Sequence, residues 1–349
     1  MNTLYNSTFM RSKLKYGENP HQKASFQKHA TSDSLAISKF KRSDGSEFPD
    51  KDSSWIAITD LGRLILTAER FVAAYRINVG SPPPALAVIV KHGSPCGAAF
   101  GNSPQEATRE AWKGDPQAAF GGFLLCTFPF TKEMADVIKN ANGGRMPFLS
   151  VAAPALEEGI ESYVGAKANT RYFISNHALS AIPDSPASHQ EIKSVRELIL
   201  EQEPSHFIPD FKKMEQHGKT ISGPEESRIL ADLSLAFAVC SSSNSNTVTL
   251  VKNRILIGNA VGQQKRVGSA RLALELAREN GHDTNASVAV SDSFFPFPDG
   301  LEVLASAGIQ AIFATSGSLR DKEVFAAAER SSLTLFTVSD KEGRMFSGH

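Results

Sequence analysis

Lys91 and His92 are, by residue type and spacing, the pair best suited to do chemistry in this chain. An imidazole can take a proton from a reacting group near neutral pH, and an ammonium beside it can stabilise a developing negative charge. The pair opens the segment Lys91-His92-Gly93-Ser94-Pro95-Cys96-Gly97, which follows the apolar run 85–90. Pro82, Pro83 and Pro84 bound that run upstream, so it reads as a short buried strand. Downstream, Ser103-Pro104-Gln105-Glu106 is a capping box with proline at the first helical position, predicting a helix over 104–113. The spacing thus predicts a Gly/Pro-kinked loop between the carboxyl end of a strand and a helix, where open α/β sheets bind ligands. A turn carrying a solvated Lys–His pair satisfies the same residues.

Other segments add candidate chemistry. Pro95-Cys96 invites comparison with the PCxxC element of zinc deaminases, but the second cysteine position holds Ala99 and no HxE element occurs. There is no GxxxxGK[ST] loop, no strand-anchored GxGxxG and no GxSxG nucleophile elbow. Gly262-Gln263-Gln264-Lys265-Arg266 lies between a strand and a helix and could hold an anion through backbone N–H groups and Arg266. An ordinary strand–helix connection with a surface Lys-Arg pair reads equally from these residues. The polar run 241–246 (SSSNSN) offers hydroxyls and amides that could orient a carbonyl, or is simply the turn that ends a helix. Ser291-Asp292-Ser293-Phe294-Phe295-Pro296-Phe297-Pro298-Asp299-Gly300 makes a rigid apolar loop. It suits a flat aromatic ligand whose ring N–H groups Asp292 and Asp299 could accept, or a hydrophobic corner of the core. Taken together, an acid/base candidate, an electrostatic helper, anion-binding residues and a flat apolar pocket fit group transfer between two bound small molecules.

The elements that must position these residues follow from local pattern. Asp60 is read as the cap of a helix running to about Asn78, with Leu61, Leu64, Ile65, Ala68, Phe71, Val72 and Tyr75 as its apolar face. Strands are predicted over 121–127, 147–153 and 170–175, with a helix from Thr131 to Ala141. Residues 176–222 turn polar and proline-rich, predicting a crossover between halves. Ser222-Gly223-Pro224-Glu225 then starts an apolar helix to Cys240. Strands over 247–251, 255–259, 288–290, 309–314 and 333–338 alternate with helices over 268–279, 300–307 and 321–330. That alternation predicts α/β layers in two similar halves, 1–190 and 191–349.

Composition narrows the function classes. Lys plus Arg and Asp plus Glu both number 37, so no global field recruits nucleic acid or a membrane. The 41% hydrophobic content is that of a globular protein. Three widely separated cysteines, Cys96, Cys126 and Cys240, build neither a disulfide framework nor a CxxC metal set. No run approaches the roughly 18 apolar residues of a membrane span, and a cytoplasmic protein is expected.

Seven motifs occur in order: LKYGENPHQ (14–22), KHGSPCG (91–97), DPQAAFGG (115–122), SNSNTVTLVKN (243–253), GQQKR (262–266), SDSFFPFPDG (291–300) and SGSLRDKE (316–323). Together they resemble the formyltransferase part of the bifunctional AICAR transformylase/IMP cyclohydrolase family. The resemblance spans about residues 14 to 349, without the cyclohydrolase domain that normally precedes LKYGENPHQ, so no IMP cyclohydrolase activity is expected. It implies two cytidine-deaminase-like α/β/α subdomains without zinc and a homodimer with active sites at the interface. It also implies transfer of a formyl group from 10-formyl-tetrahydrofolate to the 5-amino group of AICAR ribotide. No metal is needed for that chemistry, although a structural potassium ion is compatible with it.

By that resemblance His92 is the base, Lys91 stabilises the oxyanion or protonates the leaving folate nitrogen, and Asn246 orients the formyl group. Lys15, Tyr16, Gly121, Arg266, Arg344 and Phe346 would hold the nucleotide, the basic groups at its phosphate. Phe294, Pro296, Phe297, Asp299, Ala314 and Ser316 would form the folate pocket. The chain departs from the family pattern at Lys15 (usually arginine), Ala57 (commonly asparagine), Lys265 (a small hydroxyl residue) and Pro298 (arginine), and its tail is one residue longer. Two alternatives remain beside this reading: a non-catalytic nucleotide- or folate-binding paralogue, and a zinc-dependent deaminase on the same fold.

Overall fold

A computed structural model describes residues 11–165, 171–184 and 191–348. Its spine is one mixed sheet of twelve strands. In chain order these are β1 (Lys41–Arg42), β2 (Ala85–Lys91), β3 (Ser94–Gly101), β4 (Phe123–Cys126), β5 (Ser150–Ala153) and β6 (Tyr172–Ser175). Then come β7 (Glu215–Gly218), β8 (Val248–Lys252), β9 (Ile255–Ala260), β10 (Val288–Ser291), β11 (Ala311–Ser316) and β12 (Thr334–Ser339). The spatial order is β7-β12-β11-β10-β8-β9-β3-β2-β4-β5-β6-β1. Among the described residues the helices of eight residues or more are α1 (Trp55–Val79), α2 (Pro104–Gly114), α3 (Lys132–Ala141), α4 (Pro224–Ser241), α5 (Arg266–Glu279), α6 (Asp299–Ser306) and α7 (Asp321–Ser331).

The two halves share one topology. In each, a helix leads into a hairpin (β2–β3 or β8–β9), and the first hairpin strand pairs antiparallel with β4 or β10. Two further parallel strands follow, β5 and β6 or β11 and β12. The halves join where Ile255 of β9 faces Ala99 of β3, so a single sheet runs through both. Strand alternation sets the layers. Leu86, Val88 and Val90 of β2 pack with α1 and α4, whereas Ala87 and Ile89 pack with α2 and α3. Likewise Ala311 and Phe313 face α4, and Ile312 and Ala314 face α5, α6 and α7. Helix α4 is buried at every position from Ile229 to Ser241, which suits a helix apolar on all sides. Among the described residues no helix is long and apolar enough to cross a membrane.

Most expected elements form within two residues of their predicted ends, and three expectations change. Helix α1 starts six residues early, because Ser54 rather than Asp60 caps it, its Oγ accepting the Ala57 N–H at 3.2 Å. The expected loop after Lys91 is a tight hairpin, since Ser94–Gly101 forms β3 against β2. Its proline and two glycines hide a strand that close packing demands: a Cβ on Gly97 would sit 2.5 Å from the Ala111 carbonyl oxygen of α2. The crossover 176–222 also carries strand: β7 on the sheet edge, and a separate hairpin of Glu191–Val195 with Leu198–Gln202. Residues 185–190, next to the expected division of the halves, lie outside the described residues.

Asp232 gives the fold a pH signature. It is fully buried on α4, and desolvation raises its carboxyl to about 6, despite N–H bonds from Arg254 and Asn253 and the nearby Arg228. A folded value above the unfolded carboxylate value means the folded state binds the extra proton between the two, so stability falls as pH rises through that window. Wild type should therefore lose, relative to Asp232→Asn, on the order of 2–3 kcal/mol between pH 4 and pH 7 in urea titrations. A pH-independent difference would refute this.

Candidate active site

Strand direction gathers the candidate residues. Because β2 is antiparallel to both β3 and β4, its last residue, Lys91, lies at the edge where β3 and β4 begin. Following the pairings across the sheet, β9, β10, β11 and β12 end at that same edge and β8 begins there. The Lys91–His92 turn, Gly121-Gly122 before β4, Asn246 before β8, Arg266 after β9, the Phe-Pro loop after β10 and Ser316 ending β11 all fall on it. The corresponding turn of the second half, Asn253-Arg254, points to the opposite edge.

His92 and Gly93 are the two central residues of the hairpin, with φ of 54° and 76°. Positive φ at both positions is what a two-residue turn between right-twisted strands requires. His92 is exposed and Lys91 is half-buried. Beneath the turn lies Asp60, 6% exposed, whose Oδ1 accepts the Gly93 N–H at 2.8 Å. Burial pushes the Asp60 carboxyl up; the Gly93 N–H and the charges of His92 and Arg63 offset only part of this. Asp60 is thus a support of the turn, not the helix cap expected from sequence.

Further along α1, hydrogen bonds tie the chain end to the residues beside Asn246. Arg63, almost one turn along α1 from Asp60, donates from Nη1 to the Ser347 hydroxyl at 2.8 Å. The Ser347 carbonyl accepts from the Ser245 N–H and hydroxyl, both at 3.2 Å, which fastens the tail to the Ser/Asn run. Next in the chain, Asn246 accepts at Oδ1 from Arg266 Nη2 at 2.7 Å. Arg266 also donates from Nη1 to the Thr247 carbonyl at 3.1 Å and forms a buried ion pair with Asp292. Asp292 takes the Thr247 N–H at 3.0 Å on its other oxygen. Desolvation still leaves its carboxyl above the ordinary range, ahead of the opposing pull of Arg266.

Two candidates have partners inside the protein. Arg266 is 8% exposed, and both its terminal nitrogens bond inward, holding Asn246 and Asp292. Asp292, for which the sequence left a ligand contact and a core corner equally open, is fully buried with both oxygens engaged. Burial explains both: a guanidinium sunk beside a carboxylate in low dielectric stays with that partner.

The remaining candidates have the following surroundings. Phe295 is buried and anchors the Phe-Pro loop against Gly300, where a Cβ would come within 2.7 Å of its ring. Phe294 is half-buried, while Pro296, Phe297 and Asp299 are exposed, with the Arg320 guanidinium 4.8 Å from the Phe297 ring centre. Ser316 donates to the Val338 carbonyl at 3.3 Å, and Ala314 is sealed in the core, where it can only shape the wall behind a ligand. Arg344 pairs with Asp340 and lies 5.1 Å from the ring centre of the half-exposed Phe346. Lys15 and Tyr16 dock on the start of α1, through the Lys15 N–H to the Ser53 carbonyl and the Trp55 N–H to the Tyr16 carbonyl. Gly121, with φ of 81°, donates its N–H to Pro147.

Sequence reasoning missed two residues that organise the edge. The Asn259 amide donates to the Pro95 carbonyl at 2.8 Å and to the Ser243 hydroxyl at 3.0 Å, tying the first hairpin to the Ser/Asn run. Asp340 accepts from Ser293, Thr315 and Arg344, joining the carboxyl-end regions of β10, β11 and β12. Burial alone would raise its carboxyl, and these hydrogen bonds bring it below the ordinary range. Only the four-residue spacing of Asp340 and Arg344 hinted at this. Cys96 donates weakly to the Ile89 carbonyl, and desolvation pushes its thiol up to about 12, so it is a structural thiol.

Comparison with known proteins agrees with the motifs. The family model described as the AICARFT/IMPCHase bienzyme matches residues 2–276. The chain is 34% identical over 328 residues to the bifunctional purine biosynthesis protein PurH of Chlorobium phaeobacteroides (strain BS1), covering 93% of this chain and 57% of that protein. It is 34% identical to the protein of that name from Parvibaculum lavamentivorans, with the same coverage, and 32% identical to that of Prochlorococcus marinus (strain NATL2A), covering 91% and 57%. The chain therefore spans little more than half the length of these curated relatives. A protein with these motifs, this edge and this similarity belongs to the AICARFT/IMPCHase family.

Proposed function

We propose that this chain is an AICAR formyltransferase, moving a formyl group from 10-formyl-tetrahydrofolate to the 5-amino group of AICAR ribotide. The observation that supports the reading is the common edge that carries both the Lys91–His92 turn, gripped by Asp60, and Asn246, next to the Ser245–Ser347–Arg63 hydrogen bonds. The amine is a poor nucleophile, because its lone pair is delocalised toward the carboxamide. As its nitrogen bonds to the formyl carbon, His92 takes the amine proton, and Lys91 faces the oxygen that gains negative charge. Collapse breaks the bond to the folate nitrogen, which leaves with a proton from the cationic pair. Asn246, its carbonyl held by Arg266, presents its amide to the formyl oxygen. The exposed Phe297 and the loop behind it supply a flat apolar wall for the pterin.

In this reading the repeated topology is a duplicated cytidine-deaminase-like subdomain, divided near residue 190. The protein acts as a homodimer with its sites at the interface. The hairpin Glu191–Gln202 supports dimerisation, since it exposes Ile192, Val195, Leu198, Ile199 and Leu200, and apolar surface of that kind is normally covered by a partner. The test is spectrophotometric: the purified chain, given AICAR ribotide and 10-formyl-tetrahydrofolate, releases tetrahydrofolate. Absence of release from folded protein would overturn the proposal.

A further inference from the structure

We propose that Asp60 is a positioning residue that fixes the His92–Gly93 turn and supplies the negative charge against which His92 becomes protonated. The inference rests on the reading of His92 as the base. Its geometry does not: Asp60 Oδ1 accepts the Gly93 N–H at 2.8 Å from a carboxylate almost wholly shielded from water.

The second half of the molecule supplies an internal comparison. Asp232 lies on α4, the helix leading into hairpin β8–β9, as Asp60 lies on α1, the helix leading into β2–β3. Asp232 grips its turn the same way, accepting the Asn253 N–H at 3.0 Å and the Arg254 N–H at 2.7 Å. A helix carboxylate under the hairpin turn is therefore part of the repeated architecture. The charge balance differs between the two. Asp232 has Arg228 at 3.4 Å and lies within Coulomb reach of Arg254, so permanent cations answer its charge. Among the described residues Asp60 has no ion pair within 4 Å; its Coulomb partners are His92 and Arg63, and Arg63 is turned to Ser347. At this turn alone, the gripping carboxylate has a titratable group as its neighbour.

The other groups facing the pair are few. Lys91 adjoins His92 on β2, and the Cys96 thiol of β3, itself near Asp115, stays protonated because burial pushes it up to about 12. Glu191 lies within Coulomb reach of Arg63. In general, a carboxylate buried beside a base favours the protonated form of that base.

The decisive variant is Asp60→Asn, which keeps an acceptor for the Gly93 N–H and deletes the charge. Diethyl pyrocarbonate modifies only neutral imidazole, so its rate at His92, read by mass spectrometry at pH 6, reports on the charge without requiring activity. The expected result is about a threefold to tenfold faster reaction at His92 in Asp60→Asn. Asp60→Glu, which keeps the charge, and Asp232→Asn, at the equivalent turn, should both stay near the wild-type rate. The acid limb of the kcat/KM profile should also move to lower pH in Asp60→Asn, with KM for the nucleotide changed less than about twofold. An unchanged rate at His92 in folded Asp60→Asn overturns the inference, as does an equal rise in Asp60→Glu. If Asp60→Asn fails to fold, Asp60→Ser, whose hydroxyl also accepts a backbone N–H, carries the same test. A wild type inactive in formyl transfer whose His92 still responds to Asp60→Asn would refute the proposed function and leave this coupling standing.

Discussion

His92→Ala lowers the rate of formyl transfer by about 10²–10⁴-fold, the usual contribution of a positioned acid/base group. Nucleotide binding should hold, because His92 is exposed at the tip of a hairpin and no fold-bearing contact depends on its ring. Turn strain is the competing explanation, since residue 92 sits at φ of 54° and alanine suits that region poorly. His92→Asn separates the two causes. Asparagine tolerates the left-handed region better than most residues but cannot act as a base. Both variants should lose single-turnover rate equally while their melting points stay close to wild type. A rate recovered in His92→Asn would assign the loss to the backbone and remove His92 from the chemistry.

Arg266→Ala should be the most destabilising change at this edge, costing about 3–5 kcal/mol, because it leaves the Asp292 carboxylate buried and unpaired. It also frees the Asn246 carbonyl and the Thr247 carbonyl at once, so stability and turnover should fall together. The pH dependence gives a sharper check. Burial already raises the Asp292 carboxyl, and loss of Arg266 raises it further. The folded variant then holds a proton that the unfolded chain has released, so its deficit against wild type is smallest in acid and grows as pH rises. Urea unfolding at pH 5 and pH 8 measures this directly. A deficit that is equal at both, or larger at pH 5, would mean the ion pair is not what Arg266 contributes. Arg266→Lys should lie between, since a lysine keeps the charge but cannot reach Asn246, Thr247 and Asp292 together.

Much of the site was legible because its signals are local. Ser103 caps α2 and Thr131 caps α3 as their spacing predicts, accepting the N–H groups of Glu106 and Met134. The Lys91–His92 pair does end a buried strand. The strand after it was not legible, because SPCGAAFG has poor strand propensity; its small residues are there for α2, which packs against Gly97. The inward partners of Arg266 were not legible for a related reason. A short Gly-Gln-Gln-Lys-Arg stretch looks solvated until Asp292, far along the chain, is brought beside it.

The sequence by itself determined where most elements begin and end, which candidate residues stand at those ends, and the family to which the motifs point. These depend on neighbours a few positions apart, through caps, prolines, glycines and apolar periodicity. Tertiary structure alone decided which ends share an edge and which charges are spent inside the protein. Those outcomes depend on strand direction across twelve strands and on contacts as distant as Arg63 with Ser347, 284 residues apart. Burial then sets their strength, since a carboxylate such as Asp60 or Asp292 acts as a support only once water has been removed from around it.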